Sequence, residues 1–146
     1  MKVEKLMVEE IPNLLELYRE NIRWDNDEEI PQDMYKDMIS DEKCAILVAK
    51  EDNKIIGSVL CVCCKSLDED ADSFLVIESP IIRKGKSKDD VGVNLIKASD
   101  EFARKKNCSY GIVVSYDLTK DACKLYEENG FVGDVRGLRK EYSFEN

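Results

Sequence analysis

Histidine is absent from this 146-residue chain, and only three prolines and seven glycines punctuate it. Without an imidazole, proton transfer at a reaction site has to use a carboxylate, a tyrosine or a chain of waters. A cysteine likewise has no histidine beside it to make it a nucleophile, which argues against Cys123 in that role. No apolar run approaches the roughly 18 residues of a membrane span, so no membrane partner is expected. Positive charge is in short supply as well: 22 basic residues stand against 31 acidic ones, for a net charge of −9. Nucleic-acid binders normally present a basic face, and none is expected here. The N-terminal stretch "MKVEKLMVEEIPNLLELY" has acidic residues where a signal peptide needs its apolar segment, so the expected location is the cytoplasm.

Cysteine is not scarce. Of the six, three lie in "CVCC" (Cys61, Cys63, Cys64) within a strand-like run. Free cysteine in a reducing compartment behaves as a small buried hydrophobe. Cys61 and Cys64 have a bare C-x-x-C spacing, but strand alternation sends them to opposite faces. With no histidine and no second C-x-x-C motif, neither a metal site nor a disulfide framework is expected.

The composition is globular, with 43% hydrophobic and 36% charged residues, and the length suits one domain spanning 1–146. Residues 2–7 read as a short first strand. Ile11, Leu14, Leu15, Tyr18 and Ile22 follow helical spacing, with Pro12 tolerable in the first turn. After the polar stretch 23–29, Pro31 opens a second helix carrying Met34, Met38 and Ile39. "CAILVAK" (44–50) and "KIIGSVLCVCC" (54–64) are strands around a hairpin turn at "EDN", and "FLVIESPII" (74–82) is a third long strand. A charged turn then leads to a helix with Val91, Leu95, Ala98 and Phe102 on one stripe. The run "YGIVVSY" (110–116) is a strand buried on both faces, and "TKDACKLYEENG" a helix stopped by Gly130. The remainder, "FVGDVRGLRKEYSF", supplies one or two final strands. A meander followed by a β-α-β crossover implies a mixed α/β sheet covered by helices.

Between the third long strand and the next helix lies "SPIIRKGKSKDDVGVNLI" (79–96). Such turns cradle a phosphate on backbone N–H groups, yet Asp89 and Asp90 stand where the anion would go. Two readings remain open. With both carboxylates turned to solvent, the donors are free; with either folded back as the N-cap, the anion's donors are taken.

Taken together, these segments resemble the GNAT (Gcn5-related) N-acetyltransferases. "FLVIESPII" resembles that family's fourth strand. "SKDDVG" (87–92) stands in place of its R/Q-x-x-G-x-G/A loop, with Ser87 for Arg or Gln and Asp90 for the first glycine. "TKDACKLYEENGF" (119–131) matches its A-x-x-F/L-Y-x-x-x-G-F helix through Ala122, Tyr126, Gly130 and Phe131. The resemblance implies a mixed, mostly antiparallel sheet of six to seven strands, splayed between the fourth and fifth and flanked by about four helices. It implies acetyl-coenzyme A as co-substrate and an amine acceptor, small molecule or peptide, with direct transfer. Homodimers are common in the fold.

By that resemblance, the main chain of Ile81, Ile82 and Arg83 pairs with the pantetheine arm. Ser87, Lys88, Asp89, Asp90, Val91 and Gly92 form the pyrophosphate loop, and Thr119 falls where an asparagine often contacts the pantetheine. Pro80, which has no N–H, suits a bulge in the splaying strand. Tyr126 resembles the general acid. Glu78 is the candidate base, since a carboxylate buried in "FLVIESP" would hold a proton tightly enough to exchange it. Trp24 and Asp25, in the acidic stretch "NIRWDNDEE", are candidate acceptor contacts through charge and cation–π attraction. The rival reading is a non-catalytic sensing or interaction module on the same fold.

Overall fold

The computed structural model describes residues 1–21, 32–67, 73–78, 80–115 and 119–143. Its sheet contains β1 (Lys2–Lys5), β2 (Cys44–Glu51), β3 (Lys54–Lys65), β4 (Ser73–Glu78), β5 (Ile81–Ile82) and β6 (Cys108–Val114). Four helices flank it: α1 (Ile11–Asn21), α2 (Gln32–Ser40), α3 (Lys88–Lys105) and α4 (Lys120–Glu128). Strand order is β1-β2-β3-β4-β6, with β5 paired to β3. Every pairing is antiparallel except β4 with β6, the parallel pair that the α3 crossover joins.

The hairpin expected at "EDN" forms, with Asp52 (φ 50°) and Asn53 (φ 61°) both left-handed. That backbone matches the twist of paired strands, and Asp and Asn tolerate it. Two apolar layers sandwich the sheet. Val59, Cys61, Leu75 and Ile77 pack with Val91, Leu95 and Phe102 of α3 on one face. On the other, Val48 and Ile55 pack with Leu14 and Leu17 of α1 and Tyr35 of α2. Cys61 is buried in the first layer, and no cysteine among the described residues is in a disulfide. No helix among them is long and apolar enough to cross a membrane, and no group of three or more metal-ligating side chains occurs.

Three expectations about strands need correcting, the first being that 110–116 is buried on both faces: Tyr110 and Val114 of β6 are exposed, because α1 and α2 pack on β2, β3 and β5 instead. The long strand 74–82 is two strands, β4 and β5. Ile77 belongs to the α3 layer, so Glu78 faces the α1/α2 side; yet Ile81 also packs on the α1/α2 side and Ile82 on the α3 side. Strict alternation would put Ile81 opposite Glu78's face, so the phase slips by one residue between them, a bulge beside Pro80. The final strands expected after α4 are also not found among the described residues, since residues 131–143 have no regular structure. Val132, Val135 and Leu138 recur every third residue with Gly133 and Gly137 among them, which is not the period of two that a half-buried strand needs.

Gly57 of β3 lets α3 approach closely. A Cβ there would stand 2.7 Å from Val91 Cγ1, 3.1 Å from Leu95 Cδ1 and 3.3 Å from the Ile81 carbonyl oxygen. Gly57→Ala should therefore overpack this layer and cost about 1–3 kcal/mol. In urea the midpoint should fall while the slope stays constant.

Candidate active site

β4 and β6 run hydrogen-bonded from Ser73/Cys108 to Glu78/Val114. Past the bulge, β5 pairs among the described residues with Gly57 and Ser58 of β3 alone. The fourth strand of the expected fold thus keeps one neighbour and loses the other, which is the splay. In an antiparallel pair, successive residues turn their main-chain groups alternately toward and away from the neighbour. The Arg83 N–H faces β3, donating to the Ile56 oxygen at 2.8 Å. The N–H and C=O of Ile82 therefore point the other way, toward the side β6 has left.

The gap opens into a cleft of about 560 Å³ lined by Pro80, Ile81 and Ile82, by Lys88 and Asp89 at the start of α3, and by Ala122, Leu125 and Tyr126 of α4. Four charged side chains border it in balance, Lys88 and Lys124 against Asp89 and Asp121. Tyr126 is buried, and its ring meets Phe131 edge-on at 6.0 Å.

The acidic pair does not cap α3. Ser87 does, its Oγ accepting the Asp90 N–H at 3.2 Å while its carbonyl accepts the Val91 N–H at 3.0 Å. Asp90 turns along the helix, where its Oδ1 accepts from Asn94 Nδ2 at 3.4 Å. Asp89 alone of the pair borders the cleft. The first-turn N–H groups of Lys88 and Asp89 have no intrahelical acceptor, as at any helix start. Of the neighbouring lysines, Lys86 is engaged by Glu51 at 2.7 Å, which leaves Lys88 as the loop's cation on the cleft.

Val91 and Gly92 support the loop from behind. Val91 is buried against Gly57, and a Cβ on Gly92 would lie 2.9 Å from Leu125 Cδ2 of α4. The glycine is needed for helix–helix approach. Thr119 caps α4, its Oγ1 accepting the Ala122 N–H at 3.3 Å. Arg83 is 8% exposed. Its Nε donates to the Ile55 oxygen at 3.1 Å and its Nη1 pairs with Glu20 of α1. Sequence reasoning missed this anchor because Glu20 lies 63 residues away.

Glu78 stands exposed at the end of β4, not buried as its apolar context suggested. Its side chain lies on the opposite face of the sheet from Leu75 and Ile77, the face holding Tyr18 and Tyr35. Tyr18 is a second residue that sequence reasoning placed only in the core. Its hydroxyl lies 3.4 Å from the buried Ser58 Oγ, and its ring meets Tyr35 at 6.4 Å. Burial pushes the Tyr18 phenol up to about 12; the Ser58 contact opposes this, and the nearby Tyr35 and Glu78 reinforce it. The candidate acceptor residues Trp24 and Asp25 lie outside the described residues.

These features define a mixed sheet with an open cleft beside a one-sided strand, and comparison with known proteins identifies the fold. The acetyltransferase (GNAT) family matches residues 11–131, and the chain belongs to it. Solved structures share the fold at low identity. A glucosamine-6-phosphate N-acetyltransferase from Arabidopsis thaliana is 16% identical with a TM-score of 0.82, over 97% of this chain and 98% of that one. An aminoglycoside acetyltransferase from an uncultured soil metagenomic sample, solved with trehalose, is 16% identical with a TM-score of 0.83, over 99% and 96%. A transcriptional regulator from Bacillus halodurans C-125 is 16% identical with a TM-score of 0.85, over 97% and 99%. A search of curated proteins finds no match.

Glu78→Gln tests which face that carboxylate occupies. Removing a negative charge near Tyr18 favours the phenolate, so the phenol should titrate somewhat below about 12 while still held up by burial. Ultraviolet titration of the two proteins measures the difference.

Proposed function

We propose that this protein is an acetyl-coenzyme A-dependent N-acetyltransferase acting on an amine by direct transfer. The observation that carries the proposal is the one-sided pairing of β5, which turns the N–H and C=O of Ile82 into a cleft ending at the N-terminus of α3. A pantetheine arm, which has amides along its length, suits such an edge as an added strand does. The first-turn amides of Lys88 and Asp89, the helix dipole and the Lys88 ammonium suit a pyrophosphate. Ser87 and Thr119 serve this site as helix caps, Val91 and Gly92 as packing, and Arg83 by fixing β5 to β3.

When bound, acetyl-coenzyme A supplies a thioester whose carbonyl is open to a nucleophile. An alkylammonium with a pKa near 10 must first lose a proton, and Glu78 receives it, directly or through water. The amine nitrogen bonds to the acetyl carbon as the carbon–sulfur bond breaks. Tyr126, on the cleft wall, donates its phenolic proton to the departing thiolate and is reprotonated through water as the acylated nitrogen gives up its surplus proton. The Ile82 N–H polarises the carbonyl. Tyr18, Tyr35 and Glu78 line the face from which the acceptor approaches, and Trp24 and Asp25 are proposed to contact it.

The alternative is a binding module that holds coenzyme A or another ligand without chemistry, favoured by the aspartate that replaces a loop glycine. Calorimetric titration with acetyl-coenzyme A decides first: heat of binding is expected, and none at millimolar ligand would sink both enzyme and cofactor. Asp89→Asn should tighten binding by about fivefold, the equivalent of a like charge some 4 Å from phosphate in a water-like medium. Asp90→Asn should change affinity less, because that carboxylate is turned onto Asn94. With a competent amine, Tyr126→Phe should slow thiol release about 10²-fold or more while leaving cofactor affinity near the original.

A further inference from the structure

The two faces of the β4–β6 pair are composed alike and covered differently. On the α3 side, Leu75 and Ile77 are buried. Alternation puts Phe74, Val76 and Glu78 together on the α1/α2 side. The register sets them beside Tyr110, Ile112 and Val114 of β6, so that three cross-strand pairs follow one another along the face. A sheet face left to water normally alternates in polar residues, yet all of these except Glu78 are apolar or aromatic. Phe74, Val76 and Ile112 are only half-buried, Tyr110 is 50% exposed and Val114 42%. Helices α1 and α2 pack on β2, β3 and β5 and do not shelter Tyr110 or Val114.

This strip has a direction. One end is the Glu78 carboxylate, which stands at the mouth of the gap between β4 and β5. The other is a stacked aromatic pair, Phe74 and Tyr110, with ring centres 5.3 Å apart and planes within 5° of parallel. Four residues of β4 separate the two ends, about 13 Å. The side chains between them, Val76, Ile112 and Val114, carry no charge and offer no hydrogen bond. The strip is also small. Even with the neighbouring strand counted it measures about 13 by 15 Å, or about 200 Å², whereas a stable protein–protein interface takes about 800 Å² from each partner. Its dimensions suit a small molecule, charged at one end and apolar along its length.

We propose that the strip binds the acceptor, and that the acceptor is a small primary amine with an apolar body, alkyl or aryl. Its ammonium meets Glu78, and its body lies over Val76 and Ile112 toward the Phe74–Tyr110 stack. The proposal rests on the acetyl-transfer reading, with Glu78 as the base, and adds the substrate class to it. Charge complementarity fixes the orientation, because Glu78 is the only charged group on the strip. An apolar body takes the place of water over side chains that water solvates poorly. An amine with hydroxyls or a phosphate along the same length would lay them on Val76, Ile112 and Val114, where they lose water and gain no partner.

With acetyl-coenzyme A saturating, KM should fall along the series butylamine, hexylamine, octylamine by about two- to fourfold for each added methylene. Val76→Thr with Ile112→Thr keeps the branched shape that strands favour and makes the strip polar. This double variant should raise the octylamine KM about tenfold and leave the butylamine KM and the cofactor affinity near their original values. Tyr110→Ser, at an exposed position that tolerates replacement, should weaken octylamine and spare butylamine. Without turnover, intermolecular NOEs should join the octylamine chain to the Tyr110 ring and the Ile112 methyl groups. A KM independent of chain length, with turnover intact, would overturn this inference and leave the transfer reading standing. No turnover of any amine, with the octylamine NOEs present, would defeat the transfer reading and support the strip as a binding surface. Absent NOEs, or NOEs seen only on dilution because another copy covers the strip, would overturn the proposal.

Discussion

A two-residue strand held from one side organises the rest of this molecule. β5 is bonded to β3 and released from β6, and three donors of Arg83 keep it so: its N–H on Ile56, its Nε on Ile55 and its Nη1 on Glu20. A guanidinium this buried is costly to strand, and removing its partner typically costs 3–5 kcal/mol. The anchor thus resists the simplest competing arrangement, in which the chain after Glu78 follows β6 and closes the sheet. The bulge beside Pro80 completes the device, since proline has no N–H to continue a ladder. What results is an edge inside the sheet, with main-chain groups of Ile82 available to a ligand.

At the end of that edge, the loop into α3 solves a second problem with unusual residues. A glycine-rich turn lets a phosphate approach the backbone closely; here Ser87 caps the helix and the turn bends at Gly85 (φ 82°). A serine cap uses the N–H of the third helical residue and leaves the first two pointing outward. Asp89 then sits among those donors, where a carboxylate is favoured by the helix dipole and competes with an anion for it. Lys88 and Lys124 against Asp89 and Asp121 leave the cleft near neutrality, so the competition is local. On our reading a cofactor displaces solvent and one carboxylate's influence, not a field of negative charge.

Periodicity made most of the scaffold legible. The "EDN" hairpin, the Val91–Leu95–Phe102 stripe and the Gly130 stop are local patterns whose physics is local, and each is found where it was expected. The site was less legible because its causes are distant. Whether Asp89, Asp90 or Ser87 caps α3 depends on backbone angles of a turn that all three residue types can enter. Gly92 reads as a phosphate-loop glycine, yet the space it saves belongs to Leu125, thirty-odd residues on. The apolar neighbours of Glu78 implied burial, but those neighbours face the opposite layer, as alternation along a strand requires. Tyr18 reads only as a helix core residue until β3 brings Ser58 beneath it.

Unpaired strand edges link these features. A backbone amide in a sheet needs a partner, and the described residues leave three edges to provide for. Charge and brevity protect β1, so water is partner enough. On our reading β5 keeps its free groups within a cleft for the amides of a cofactor. β6 has neither charge nor concealment, and the apolar residues beside it raise the cost of leaving it wet. On our reading the same rule of main-chain satisfaction that leaves β1 to water is put to use at β5, and the fold class alone does not supply that use.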